Sequence, residues 1–195
     1  MAGLTLLAMV AAGCGADGAA SPTAPPTPSA SPVPILLPSA TPVPTISAPI
    51  EIDPGLLAIL PAEIDGQPVD ESPEVEEADA EDPTLVGVAR LAAAFVHDDN
   101  AANWAVVTVA AIQPNVLTDA YFRSWRDSFD AGACEPAGGV TGTAIAPLGG
   151  RDVNIGRCAG GVNTYHVRLD EDRIVSVTAF GDKRYGELVM GGLKP

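Results

Sequence analysis

Residues 140–180 read VTGTAIAPLGGRDVNIGRCAGGVNTYHVRLDEDRIVSVTAF. Apolar side chains recur there at every second position, the period of half-buried β-strands. Gly149-Gly150 separates 140–148 from 151–158 as a two-residue hairpin turn, in which glycine permits positive φ. Gly160-Gly161 makes the next turn, and 162–169 and 173–180 form a second hairpin about Asp170-Glu171-Asp172. Alternation sets Tyr165, Val167 and Leu169 on one face with Val175 and Val177. His166, Arg168, Ser176 and Thr178 fall on the other, and a slip of one residue would mix the two sets, so the register is well specified. That polar set is the candidate contact face.

Moving outward, Trp104–Ile112 (WAVVTVAAI) is apolar on both faces and predicts a covered strand. Thr118 can cap a helix over 119–131 that Gly132 ends. Tyr121, Trp125 and Phe129 share its apolar face, whereas Arg123, Arg126, Asp127 and Asp130 populate the polar side. Asp82-Pro83 opens a helix over 84–97, because Leu85, Val88, Ala92 and Phe95 follow three-and-four spacing; His97 then sits at the negative end of its dipole. Earlier, Asp53-Pro54 starts one short apolar helical turn, and 64–69 reads as a turn with a short edge strand. Residues 71–82 hold seven acids in twelve positions and predict a solvated loop. At the other end Asp182 caps a short helix with Tyr185, Leu188 and Val189 inward and a Lys183–Glu187 pair outward; Gly191-Gly192 closes it. The expected fold is α+β: one antiparallel sheet of about five strands, two longer helices and a short C-terminal one, in a single domain over 51–195.

The first part of the chain is of another kind. Residues 15–50 are rich in Ala, Ser, Thr and Pro, with ten prolines between Pro22 and Pro49. Such a tract favours polyproline II and is expected to form a disordered but extended stalk, reaching about 110 Å at roughly 3.1 Å per residue. Ahead of it an apolar run from Leu4 ends in Val10-Ala11-Ala12-Gly13-Cys14, which resembles the lipobox of bacterial lipoproteins. The resemblance implies a signal peptide over 1–13, lipid carried on Cys14, attachment to the cell membrane and exposure on its extracytoplasmic side. Bacterial lipoproteins of this type carry two or three acyl chains, consistent with the weak hold of a single one.

With Cys14 lipidated, Cys134 and Cys158 remain as a pair 24 residues apart. In an oxidising compartment they are expected to form a disulfide; two reduced buried cysteines or two metal ligands are the alternatives. Net charge is −15, and residues 1–82 contribute −13 because they contain no Lys or Arg. Without a basic patch to collect phosphates, nucleic acid is excluded as a partner.

No GxSxG elbow, HExxH, P-loop or GxGxxG following a strand is present, so no catalytic residue, metal site or cofactor is assigned. The expected function is a non-catalytic binding or structural module held at the membrane, with a cell-wall component, a small ligand or an envelope protein as partner. The alternative is an envelope hydrolase using His166 with Asp152 or Asp170 and Ser124, Ser128 or Ser176. A metal module around His97-Asp98-Asp99 is the third option.

Overall fold

The computed structural model describes residues 49–82 and 85–195. The segment expected to be a signal peptide, Cys14 and all but the last two residues of the expected stalk lie outside these bounds. Among the described residues the fold is mixed α+β, built on an eight-stranded sheet that is mostly antiparallel. Six long strands run in the order β5 (Val88–His97), β6 (Trp104–Ile112), β10 (Arg173–Phe180), β9 (Asn163–Arg168), β8 (Arg151–Cys158), β7 (Val140–Leu148). Both hairpins form as the alternation predicts, with Val175 opposite Val167, Ser176 opposite His166 and Val177 opposite Tyr165. Gly149 and Gly150 adopt φ of 55° and 76° at the first turn, the left-handed geometry that such a turn requires.

Of the expected helix over 84–97, Thr84 lies outside the described residues and residues 85–97 are not helical. Its three-and-four spacing is a coincidence of a strand that is apolar on both sides: Leu91, Ala92, Ala93, Ala94 and Val96 are all buried within β5. A continuous apolar run carries no period of its own, and pairing with β6 decides the outcome over the helix propensity of Leu-Ala-Ala-Ala. His97 therefore ends a strand and meets no helix dipole.

The acidic stretch is likewise not a loop. Pro73–Ala80 forms α1, with Pro73 in the first turn and Glu74 and Glu76 near its positive end. Its place follows from the outer edge of β5, which two short strands share. β1 (Glu51–Ile52) pairs parallel beside Arg90 and Leu91, and β4 (Asp70–Glu71) pairs antiparallel beside Ala94 and Phe95. Between them the Ala93 amide donates to the buried Glu76 carboxylate at 3.0 Å. The Ser72 amide takes the Ala93 carbonyl, and an acid of α1 thus completes the strand edge at the one Ala93 group left over.

Two layers cover the sheet. On one face Tyr185, Val189 and Met190 of α3 (Tyr185–Gly192) and Leu56, Ile59 and Leu60 in and after the 3-10 turn Pro54–Ile59 pack against Val107, Val109, Val175 and Val177. The Asp53 side chain caps that turn as expected, accepting from the Gly55 amide at 3.1 Å. A small hairpin of β2 (Glu63–Ile64) and β3 (Gln67–Pro68) adds Ile64 to this layer. The C-terminal helix departs from expectation in detail. Arg184 rather than Asp182 stands at its N-cap, Leu188 is exposed, and the ion pairs are Arg184–Glu187 and Lys183–Asp65.

The opposite face carries α1 and α2 (Asp119–Cys134). Thr118 caps α2, its hydroxyl accepting from the Tyr121 amide at 3.1 Å, but the helix continues through Gly132 to Cys134. There Cys134 is joined to Cys158 at the end of β8 by a disulfide, which ties helix to sheet. Among the described residues there is thus one long helix, not two, and there are eight strands in the main sheet, not five. No helix among the described residues is long and apolar enough to cross a membrane.

Candidate functional site

The polar set on the second hairpin exists, but α2 roofs it. His166 and Ser176 are 0% exposed, so they are not part of a contact surface open to solvent. Arg168 lies at the end of the strand, partly exposed, 3.3 Å from Asp119 in the first turn of α2. Thr178 is half-buried and faces a cavity. The four residues share a face of the sheet and separate into three environments.

The partner that orders His166 is Asp130, which the sequence places on the polar side of α2. His166 Nε2 stands 2.8 Å from Asp130 Oδ1, and Thr164 donates to the same oxygen. On the other side of the ring, Nδ1 lies 2.9 Å from Ser176 Oγ, which also accepts the Trp125 indole N–H at 2.9 Å. An ionised carboxylate only accepts, so Nε2 carries a proton toward Asp130; in the neutral ring Nδ1 accepts the Ser176 hydroxyl. Every donor then has an acceptor. Burial pushes the Asp130 carboxyl up, but the hydrogen bonds from His166 and Thr164 outweigh it and hold it below the ordinary 3.8.

Asp130 fits because Gly156 of β8 has no side chain: a Cβ there would lie 2.7 Å from Asp130 Oδ1. Glycine inside a strand is the available sequence signal for such a close approach. Helical periodicity alone does not find it, because strands β8 and β9 meet a side of α2 that reads as polar. Arg126 on that side also reaches Asn154 of β8 at 3.1 Å.

The string Ser176–His166–Asp130 has the residue types of a catalytic triad without its accessibility. His166 and Ser176 are fully buried, Asp130 is 4% exposed, and the serine oxygen already receives the Trp125 proton. Neither Asp152 nor Asp170 is the acid that meets His166. The Asp170 side chain instead pairs with Arg173.

Beside this string lies a cavity of about 860 Å³ between α1, residues 85–87 and α2. Its floor is Trp104, Val106 and Thr108 of β6 with Thr178 of β10, and α2 contributes Tyr121, Trp125 and Phe129. The aromatic stripe is thus only in part core: Trp125 is buried, Tyr121 and Phe129 are half-buried, and all three line open space. Trp125 and Phe129 belong to both sites, since Phe129 stacks edge-on against His166 at 5.1 Å. Tyr121 donates its hydroxyl to the Val86 carbonyl at 2.6 Å, closing one end of the wall, and burial pushes its pKa to about 12.

Opposite α2, Asp79 of α1 accepts a hydrogen bond from Thr108 at 2.9 Å. Burial raises the pKa of its carboxyl; the Thr108 hydroxyl opposes this, and nearby Asp82 adds to it. No feature of the sequence singles Asp79 out from six other acids in that run. Near His97, Asp98 is engaged in its own turn, accepting from the Asn103 amide at 3.2 Å and side chain at 2.7 Å. Among the described residues no group of three or more His, Cys, Asp and Glu is placed to hold a metal. The chain matches no protein-family model, no curated protein and no solved structure.

Proposed function

We propose that the protein is a lipid-anchored extracytoplasmic module that binds a small, largely apolar ligand in the cavity beneath α2. The cavity carries this reading. A space of about 860 Å³ lies within the range of small-molecule sites, and aromatic and aliphatic side chains dominate its walls while a few polar groups converge on it. The lipobox-like segment ending at Cys14 and the proline-rich stalk supply the address, and the Cys134–Cys158 disulfide is consistent with an oxidising compartment.

Both tryptophans of the chain, Trp104 and Trp125, line the cavity, so their fluorescence reports on it directly. Titration of the full chain with the neutral apolar dye N-phenyl-1-naphthylamine is expected to give saturable energy transfer with one-to-one stoichiometry. Gly132 lines the cavity, and a Cβ there meets nothing within 4 Å, so Gly132→Phe is expected to obstruct the space without unfolding the helix. Equal dye binding by wild type and variant would refute the site. For the address, Cys14→Ala is expected to move the protein from the membrane fraction to the soluble one.

The rival reading, an envelope hydrolase, draws on the Ser176–His166–Asp130 string. Its burial favours a structural role that positions Trp125 and Phe129 along the cavity wall. A generic ester, phosphate or peptide turnover lost in His166→Ala would reverse that preference.

A further inference from the structure

Resting on the cavity reading, we infer that the ligand is an organic cation with an apolar body, its positive charge seated beside Asp79 and Thr108. The lining holds two carboxylates, Asp79 and Asp82, and no Lys, Arg or His. A charge entering an apolar space needs a counter-charge within reach. An anion could accept from hydroxyls such as those of Ser124 and Ser128, but it would face the like charge of both carboxylates. A neutral amphiphile would gain hydrogen bonds but no Coulomb attraction. A cation gains the Asp79 carboxylate together with the aromatic lining of Trp104, Tyr121, Trp125 and Phe129, rings whose faces attract positive charge through the quadrupole.

Three further observations agree. Thr108 is the one side chain among the described residues that bonds the Asp79 carboxylate, and it takes only Oδ2. Burial and Asp82 both disfavour the Asp79 charge, and a bound cation would offset both. Finally, residues 49–195 carry 24 acids against 10 bases, which draws cations toward the surface and repels anions.

The test is a tryptophan-fluorescence titration of the full chain with decylammonium, decanol and decanoate, which share one tail, each below its micelle concentration. Decylammonium is expected to bind about tenfold tighter than decanol, with decanoate weakest. Asp79→Asn keeps shape and removes a half-buried charge, so it is expected to fold; it should bring decylammonium to the level of decanol and leave decanol unchanged. Asp127→Asn, an exposed acid on α2, should leave the preference intact. The inference is overturned if decanol or decanoate matches decylammonium in the wild-type protein, a comparison that needs no variant. It is also overturned if Asp127→Asn erases the preference as fully as Asp79→Asn, since diffuse surface charge then explains it. If decanol and decylammonium bind equally and Gly132→Phe blocks both, only the charge assignment fails. If none of the three perturbs the tryptophans, the cavity reading falls with it.

Discussion

The two faces of the sheet are covered in opposite ways. Beneath α3 and the 3-10 turn, apolar side chains fill the layer, with Tyr185, Val189 and Met190 wholly buried. Beneath α2, the roof is held by a polar string, a disulfide and one buried tryptophan, and it leaves a cavity of about 860 Å³. Close packing on one face can support looseness on the other. The difference teaches where to look for function, since an apolar layer that is not filled forgoes stability the chain could have taken.

The largest effect should come from the polar string. Asp130→Ala leaves His166 and Thr164 without their acceptor in a buried place and is expected to cost about 3–5 kcal/mol in denaturant unfolding. The string also predicts a pH dependence. The Asp130 carboxyl is held below 3.8, so its contribution is fully present above that value and is lost as pH falls through the lower folded pKa. Asp130→Asn should flatten this acid limb, and an unchanged limb would remove Asp130 from the account.

Met190→Ala tests the filled face and is expected to cost about 2–5 kcal/mol, whereas Val106→Ala, beside an existing space, should cost well under that. Equal losses would break the contrast between the faces. Reducing the disulfide should cost roughly 3 kcal/mol by freeing the loop between Cys134 and Cys158. Glu76→Ala strips the acceptor from the Ala93 amide and should cost about 1–3 kcal/mol, with Glu76→Gln recovering most of it.

The smallest effect carries the opposite sign. Asp79 has a raised pKa, so its contribution is full below 3.8 and is lost as pH rises through its folded value. Asp79→Asn should therefore raise the thermal midpoint slightly at neutral pH. A lower midpoint would mean that the carboxylate is structural rather than held ready for a ligand.

Legibility in the sequence divides along similar lines. The hairpins, β6 and the start of α2 are readable because local rules decide them: paired glycines at the turns, strict alternation, and a threonine cap at Thr118. β5 is not readable, because a strand buried on both faces has the composition of a helix core, and only its partner β6 distinguishes them. α1 is hidden by its own charge, and the role of Glu76 depends on a gap between β1 and β4 that no local pattern encodes. The same holds for the site. Alternation correctly grouped His166, Arg168, Ser176 and Thr178, but whether that group meets water depends on the position of α2. Asp130 and Asp79 take their importance from neighbours 36 and 29 residues away.

The outer edges of the sheet differ as well. On β5 the Leu91 and Ala93 carbonyls accept from Asp53 and Ser72, and Glu76 takes the Ala93 amide. On the far side β7 is the last strand, with no charged side chain along Val140–Leu148 and Ile145 68% exposed. Pro147, which lacks an amide donor, is its main built-in deterrent to pairing. Pairing with a second sheet would therefore fall on β7, the one long strand edge that the described residues leave without a neighbour, since β5 is already lined by β1, β4 and Glu76.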